Sequence, residues 1–291
     1  MSAPRVIAVV LNWCDEPDTA ACLASLAIQD YPALDVLVVD NASPDESGAR
    51  LRARYPDLLH DRTETNVGYA GGNNRGIARA LAEGAEYVLV INNDTTLEPG
   101  AVREMARAAA THEKVGAIGP KIVRADAPEV LWFAGGTFDR RRAIGRHVGE
   151  GDRDGNPGEH EVREVDFLTG CCLFIPAPAL RAVGPFRADF FAYVEDVEFC
   201  VRLRAAGFRL LYAPAARIRH NVPPRGTPPS PLQIRLRDRN RRRLVRLHYS
   251  LGDRLRFSAW FYPTRVVLIV QQLLSGDLAR ARSAWQGMTE W

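Results

Sequence analysis

Apolar and polar positions fall into alternating blocks over the first 120 residues. Residues 6–11 are an unbroken apolar, mostly β-branched run, and residues 19–29 carry Leu23, Leu26 and Ala27 on one helical face. A second run, Val36-Leu37-Val38-Val39, lies within residues 35–40 and is followed by a helical stretch over 46–55. An Ala-rich helix is predicted over 69–83, a strand over 86–91, a helix over 100–112 and a short strand over 115–119. Unbroken apolar runs predict strands buried on both faces. Their alternation with helical periods predicts an α/β fold with a mainly parallel sheet covered by helices on both sides.

From residue 120 to 164 the pattern dissolves into glycine and charge, most of all over 149–158, which reads as a flexible loop or hairpin beside a site. Residues 167–175 are apolar again, broken by Thr169-Gly170. A helix is predicted over 195–206, stopped by Gly207, with short strands over 209–212 and 217–219. The prolines at 223, 224, 228, 229 and 231 exclude a helix or a central strand. The expected division is therefore a first unit of residues 1–222 and a second of 223–291, the latter a Pro-rich linker followed by an Arg-rich, amphipathic helical extension. Residues 257–274 come nearest to a membrane span, but Pro263, Arg265, Gln271 and Gln272 interrupt them, so an interfacial helix is predicted instead.

Composition sharpens this picture in two places. The net charge of +3 conceals an asymmetry: residues 200–291 hold 18 Arg and four acids, for +14, and the rest of the chain carries −11. A basic C-terminal part on an acidic body points to an anionic partner, or to a solvated Arg-rich helix face. None of the five cysteines forms a C-x-x-C pair, so no zinc site or disulfide framework is indicated, and reduced thiols in the cytoplasm fit. Residues 6–11 are too short for the apolar region of a signal peptide and read as the first strand.

The chemistry concentrates where apolar runs end. The run over 87–91 stops abruptly in Asn92-Asn93-Asp94. A carboxylate at the end of a buried strand can hold a hard divalent cation, which can in turn hold a diphosphate; an Asn/Asp turn closed by Pro99-Gly100 explains the same residues more simply. Asp40 ends the second strand, where an acid can bind a ribose or base, or cap the turn that follows. Residues 12–17, directly after the first strand, contain no glycine, which argues against a dinucleotide-binding dehydrogenase and against a nucleotidyltransferase with a Gly-rich basic loop. Asn66-Val67-Gly68-Tyr69-Ala70-Gly71-Gly72-Asn73-Asn74 opens a helix, and its glycines fit either close approach to an anionic ligand or close helix–sheet packing. Glu195-Asp196 starts a helix after an aromatic stretch; one of these carboxylates can act as a general base, or both can complement the helix dipole. Glu198 and Arg202 read as a surface i,i+4 pair, and His220 gains interest only if the fold brings it to Asp94.

Taken together, five spaced motifs resemble the family 2 nucleotide-sugar glycosyltransferases with the GT-A fold, and their texture is most similar to rhamnosyltransferases of cell-surface polysaccharide assembly. They are Val38-Val39-Asp40-Asn41-Ala42-Ser43, the stretch from Asn66 to Asn74, Asn92-Asn93-Asp94, Asp166-Phe167-Leu168-Thr169-Gly170, and Glu195-Asp196 with Phe199-Cys200-Val201-Arg202. The resemblance implies a Rossmann-like, mixed but mainly parallel sheet and an inverting transfer, with rhamnose as one candidate sugar. The donor implied is a dTDP- or UDP-linked sugar, and the acceptor a glycan or lipid-linked glycan. It implies Asp196 as catalytic base, and Asp94 with His220 as ligands of Mn²⁺ or Mg²⁺. Asn12, Asp40, Asn66, Gly68, Asn73, Asn74, Asn92, Asn93 and Asp94 are the implied nucleotide-sugar contacts. Thr169, Gly170, Tyr193 and Glu195 are the implied sugar contacts. Asn92 stands where many relatives have the first acid of a D-x-D motif, so metal binding is expected to be weaker. The expected setting is the inner face of the plasma membrane, with an anionic membrane surface as partner, a homodimer contact as the competing use of the apolar C-terminal residues, and no nucleic acid. The rival from another class is a degenerate transferase fold that binds glycan or membrane without catalysis.

Overall fold

The computed structural model describes residues 3–155, 161–224 and 226–290. The chain begins β1 (Val6–Asn12), α1 (Glu16–Ala27), β2 (Leu34–Asp40), α2 (Ser47–Arg54), β3 (Leu59–Arg62), α3 (Gly68–Ala82) and β4 (Tyr87–Asn92). It continues through β5 (Thr95–Leu97), α4 (Ala101–Thr111), β6 (Val115–Arg124), β7 (Leu131–Phe133) and a hairpin of β8 (Gly136–Asp139) and β9 (Ile144–His147). Then follow β10 (Arg163–Glu164), β11 (Cys172–Pro176), α5 (Ala177–Val183), α6 (Glu195–Ala205), β12 (Arg209–His220), α7 (Pro231–His248), α8 (Leu251–Leu274) and α9 (Leu278–Thr289).

The main sheet runs β10-β12-β6-β11-β4-β1-β2-β3, with β5 and β7 paired at its flank. β3, β2, β1 and β4 are parallel; β11 lies antiparallel between β4 and β6, and β12 is parallel to β6. Six strands thus share one direction, and their carboxyl ends form one edge. Register fixes that edge: Asn12 pairs Asp40, and Leu11 pairs Asn92. An open α/β sheet binds ligands just outside this edge.

The expected burial holds, since Val6 to Val10 and Val88 to Val90 are fully buried. Helix α3 lies close on β1 because it is glycine-rich there: a Cβ at Gly72 would sit 2.5 Å from Leu11, and one at Gly76 2.2 Å from Val9.

Several elements differ from the sequence expectation. The strand expected to stop at Gly119 continues through Pro120 to Arg124, and the two strands expected over 209–212 and 217–219 are one, β12. The β6–β12 register slips between Ala213 and Arg217, opposite Pro120, and such an irregularity tolerates a residue without an N–H. The region read as loop holds β7, the β8–β9 hairpin and β10. Of the stretch 149–158, residues 156–158 lie outside the described residues, as does Arg225 in the Pro-rich segment.

The C-terminal helices pack on the body. Ile234, Leu236, Leu244, Val245, Phe257, Phe261, Ala284 and Met288 are buried. Much of the arginine excess is spent within the protein: Arg235 pairs with Glu290, Arg241 with Asp238, and Arg243 with Asp189. Arg242 donates to the carbonyls of Gly287 and Glu290. Glu198, expected at the surface, is fully buried; Arg202 meets both of its oxygens at 2.9 Å, and His248 of α7 lies 3.0 Å away. The i,i+4 spacing was read correctly, but α7 covers that face. Among the described residues no helix is long and apolar enough to cross a membrane.

Candidate active site

Four strand ends and one helix start build the site. At the end of β1, Asn12 is a fully buried hub. Its amide nitrogen lies 2.9 Å from Ser47 Oγ, 3.2 Å from Ser43 Oγ and 3.4 Å from Asp40 Oδ1, while its oxygen accepts from Thr19 Oγ1 at 3.0 Å. Asp40 is nearly buried; it accepts from the Ser43 N–H at 3.2 Å and faces the Arg62 guanidinium at 3.4 Å. The turn-capping use of Asp40 is therefore present, and the second carboxylate oxygen is the one turned to Arg62. Gly48, which sequence reasoning passed over, makes room for it: a Cβ there would lie 2.3 Å from Asp40 Oδ2.

The end of β4 meets the end of β12. The three-residue strand β5 folds back so that Thr95 pairs His220, which brings Asp94 within 3.1 Å of His220 Nε2. The contact lacks hydrogen-bond alignment: Asp94 Oδ1, Asn92 Oδ1 and His220 Nδ1 are buried and find no hydrogen-bond partner among the described residues. Buried polar atoms are rarely left so, and several together mark a place where something else binds. Asn221 N–H donates to the Asp94 carbonyl at 2.8 Å, and Asn93 Nδ2 reaches Thr19 at 3.1 Å, fixing the turn. Trp132 meets the His220 ring edge-on at 4.5 Å and the His147 ring at 4.4 Å. A carboxylate and an imidazole with unfilled valence suit Mn²⁺ or Mg²⁺ shared with ligand oxygens. Among the described residues no third His, Cys, Asp or Glu completes an all-protein cage.

The third component precedes α6. Phe191, Tyr193 and Val194 adopt φ of 65°, 66° and 71°, a left-handed conformation unfavourable for bulky or β-branched side chains. Such strain persists only where surroundings enforce it, and it clusters at functional sites. Two helices enforce it here. Ala70 N–H of α3 donates to the Phe191 carbonyl at 2.9 Å. From α7 the buried Asn240 sets its amide nitrogen 2.8, 2.9 and 2.7 Å from the carbonyls of Phe190, Ala192 and Tyr193. Gly68 is needed for this approach, because a Cβ there would lie 2.4 Å from the Phe191 carbonyl. We expect Asn240→Ala to cost roughly 1–3 kcal/mol through unpaired buried carbonyls and to lower turnover, measured by thermal denaturation and activity side by side. Unchanged turnover would show that the loop keeps its shape without Asn240.

Within this frame, Asp196 accepts from Gly170 N–H at 2.9 Å through Oδ2 and from Val197 N–H at 2.8 Å through Oδ1. Burial raises its pKa above the usual carboxylate range, although those two N–H groups and Arg237 oppose the shift. Tyr69 OH donates to the Gly170 carbonyl at 2.5 Å, which fixes that turn. Glu195 is buried, its Oε2 lacks a partner, and burial followed by the Asp196 charge pushes its pKa well above the usual range. A carboxyl with a raised folded pKa stabilises the fold below its unfolded pKa, and that stabilisation is lost as pH rises through the folded value. Glu195→Gln, which imitates the neutral acid, should flatten this loss: its stability should fall less than the parent's as pH climbs above the carboxylate range. Parallel pH–stability curves would mean that Glu195 is not the group responsible.

The remaining expected site residues are placed as follows. Asn66 Oδ1 accepts from Gly68 N–H and Asn41 Nδ2, shaping the loop. Asn73 donates to the Tyr69 carbonyl and Asn74 to the Phe186 carbonyl, and each leaves a buried Oδ1 without a partner. Thr169 is buried and its Oγ1 accepts from Cys171 N–H at 3.4 Å; the same turn meets both acids' elements, since Gly170 N–H donates to Asp196 and the Cys171 carbonyl accepts from Asn92 N–H at 2.9 Å. Tyr193 is exposed at the mouth, beneath the Arg237 guanidinium. Sequence reasoning missed Gly48, Trp132, Asn240 and Arg237. For the last two the arginine run of α7 was the only signal, and it read as surface.

A family model described as "Glycosyltransferase like family 2" matches residues 4–244. The chain is 30% identical over 238 residues to an N-acetylglucosaminyl-diphospho-decaprenol L-rhamnosyltransferase of Mycobacterium tuberculosis, covering 73% of this chain and 75% of that one. It is 29% identical over 219 residues to the low-salt glycan biosynthesis hexosyltransferase Agl10 of Haloferax volcanii, covering 74% and 66%. Among solved structures, GalNAc-T7 with UDP, GalNAc and Mn²⁺ superposes with a TM-score of 0.67 at 14% identity, over 99% of this chain and 56% of that one. The mannosyltransferase PcManGT of Pyrobaculum calidifontis, in complex with GDP-Man and Mn²⁺, gives 0.59 at 18% identity, over 99% and 84%. These structures establish the fold alone.

Proposed function

From the premise that the chain belongs to glycosyltransferase family 2, we propose that it transfers a sugar, with rhamnose the leading candidate, from a dTDP- or UDP-linked donor to a hydroxyl of a lipid-linked glycan, inverting the anomeric centre. The observation that carries this reading is the convergence of Asp94, His220 and Asp196 on one sheet edge: Asp94 lies 3.1 Å from His220, and the turn at Gly170-Cys171 joins Asp196, through Gly170 N–H, to the end of β4, through Asn92 N–H. Asp196 takes the proton from the acceptor hydroxyl as it attacks the anomeric carbon; its rigid backbone contacts aim the carboxylate, and its raised pKa makes it a stronger base than a solvated one. Asp94 and His220 would hold Mn²⁺ or Mg²⁺, which would supply positive charge to neutralise the departing diphosphate. Asp40 and Asn12 shape the nucleoside end, and Glu195, whose neutral form burial favours, can in that form donate a hydrogen bond to a sugar hydroxyl. A single displacement needs no second carboxylate as nucleophile. NMR of the product tests this: an anomeric configuration opposite to the donor's agrees, and retained configuration contradicts it.

The same reading places the protein at the inner face of the plasma membrane. With several arginines engaged internally, the exposed stripe Leu251, Leu255, Tyr262, Val266, Val270 and Leu273 on α8 is the surface that supports it. Co-sedimentation with anionic liposomes should occur at low salt and persist in part at high salt. Protein left in the supernatant under both conditions would exclude this setting, and a stable dimer in solution would assign the stripe to a second copy.

A further inference from the structure

The carboxylates of the cleft are Asp94 and Asp196, burial favouring the neutral form of Glu195 beside them. A diphosphate entering such a cleft needs cations beyond one metal ion. Helix α7 offers one. Most of its arginines are held: Arg235, Arg241 and Arg243 by carboxylates, Arg239 by the Phe190 carbonyl, and Arg242 by carbonyls of the last helix. Arg237 differs. Among the described residues it makes no ion pair and no hydrogen bond, and its guanidinium is 5.6 Å from the centre of the Tyr193 ring. Tyr193 directly precedes α6, so the guanidinium stands beside the start of the helix that carries Asp196, and its charge favours the ionised form of that carboxyl.

The position is built rather than accidental. Arg237 stands one turn before Asn240 on the same helix face, and Asn240 locks α7 to the carbonyls of Phe190, Ala192 and Tyr193. The anchor that shapes the catalytic loop thus also locates the cation. A planar guanidinium suits two phosphate oxygens at once.

We propose that Arg237 is a phosphoryl-binding residue of the site, contacting the diphosphate of a substrate. This rests on the transferase reading. That chemistry has two sources, the donor nucleotide and a lipid-linked acceptor, and the test separates them. Calorimetry would compare the parent, Arg237→Ala and Arg237→Lys for binding of UDP and dTDP with Mn²⁺, and of a short-chain prenyl diphosphate. Arg237→Ala should weaken one class by about tenfold, and Arg237→Lys should recover part of it, since charge survives but the planar fork does not. Loss confined to the nucleotides assigns the donor, and loss confined to the prenyl diphosphate assigns the acceptor. Changes under about twofold for both, with a parent that binds normally, would overturn the inference. A parent that binds none of the probes would instead overturn the transferase reading. Because Arg237 is exposed, the melting temperature should not move with either variant.

Discussion

Asp196→Asn should reduce sugar transfer by roughly 10²–10⁴-fold, the typical cost of losing a general base, while nucleoside diphosphate affinity stays within a small factor of the parent's. The reasoning is local. The carboxylate's two oxygens receive the N–H groups of Gly170 and Val197, so its orientation is set before substrate arrives. An amide keeps the shape but cannot take the proton, and it turns an NH₂ toward one of two N–H donors. The unpaired donor costs about 1–3 kcal/mol of stability, and a melting curve separates that effect from the catalytic one. Turnover close to the parent's would move the base elsewhere, first of all to Glu195. The acid limb of the pH–rate profile offers a second check. Burial holds Asp196 above the usual carboxylate range, so activity should rise with pH through a higher midpoint than a solvated aspartate gives.

The second large effect is expected at Asp94. Its carboxylate and His220 Nε2 form a donor pair in the cleft, 3.1 Å apart, with buried atoms that no described residue satisfies. If they hold the metal that binds the diphosphate, Asp94→Ala should remove most of the gain in UDP or dTDP affinity that Mn²⁺ provides. That loss should reach about a hundredfold, since even the outer partners of metal ligands are worth 10–100-fold. His220→Ala should cause a smaller loss of the same kind. Equal nucleotide affinity with and without Mn²⁺ in the parent would mean that protein groups alone neutralise the phosphates, with Arg237 first among them.

What the sequence revealed follows from what local pattern encodes. The apolar runs of β1, β2 and β4 could be read because burial on both faces demands unbroken β-branched stretches, and their polar ends could be read because they interrupt that demand. Asp40 and Asp94 stood out in this way, and Asp196 as an acid at a helix start. His220 did not, because its meeting with Asp94 depends on the three-residue β5, too short to carry a period. Strand β6 was cut at Pro120 because the irregular register that tolerates the proline is set by β12, almost a hundred residues further on. Glu198 and Arg202 had the spacing of a surface pair, and only the packing of α7 buries them. Asn240 was hidden for the same reason. In an arginine run a single amide reads as filler, and its partners are carbonyls of a loop whose strained shape no propensity foretells.

The claim at the centre of this account is that the cleft bounded by Asp94, His220 and Asp196 is a working transferase site. The most direct measurement is nucleoside diphosphate release from a panel of dTDP-, UDP- and GDP-linked sugars with Mn²⁺, run in parallel on the parent and Asp196→Asn. The account predicts release from at least one pyrimidine-linked donor by the parent and its near-complete loss in the variant. Glycan or liposome binding by a parent that releases nothing from any donor, with or without a glycan acceptor, would contradict it and identify a binding protein on a transferase fold.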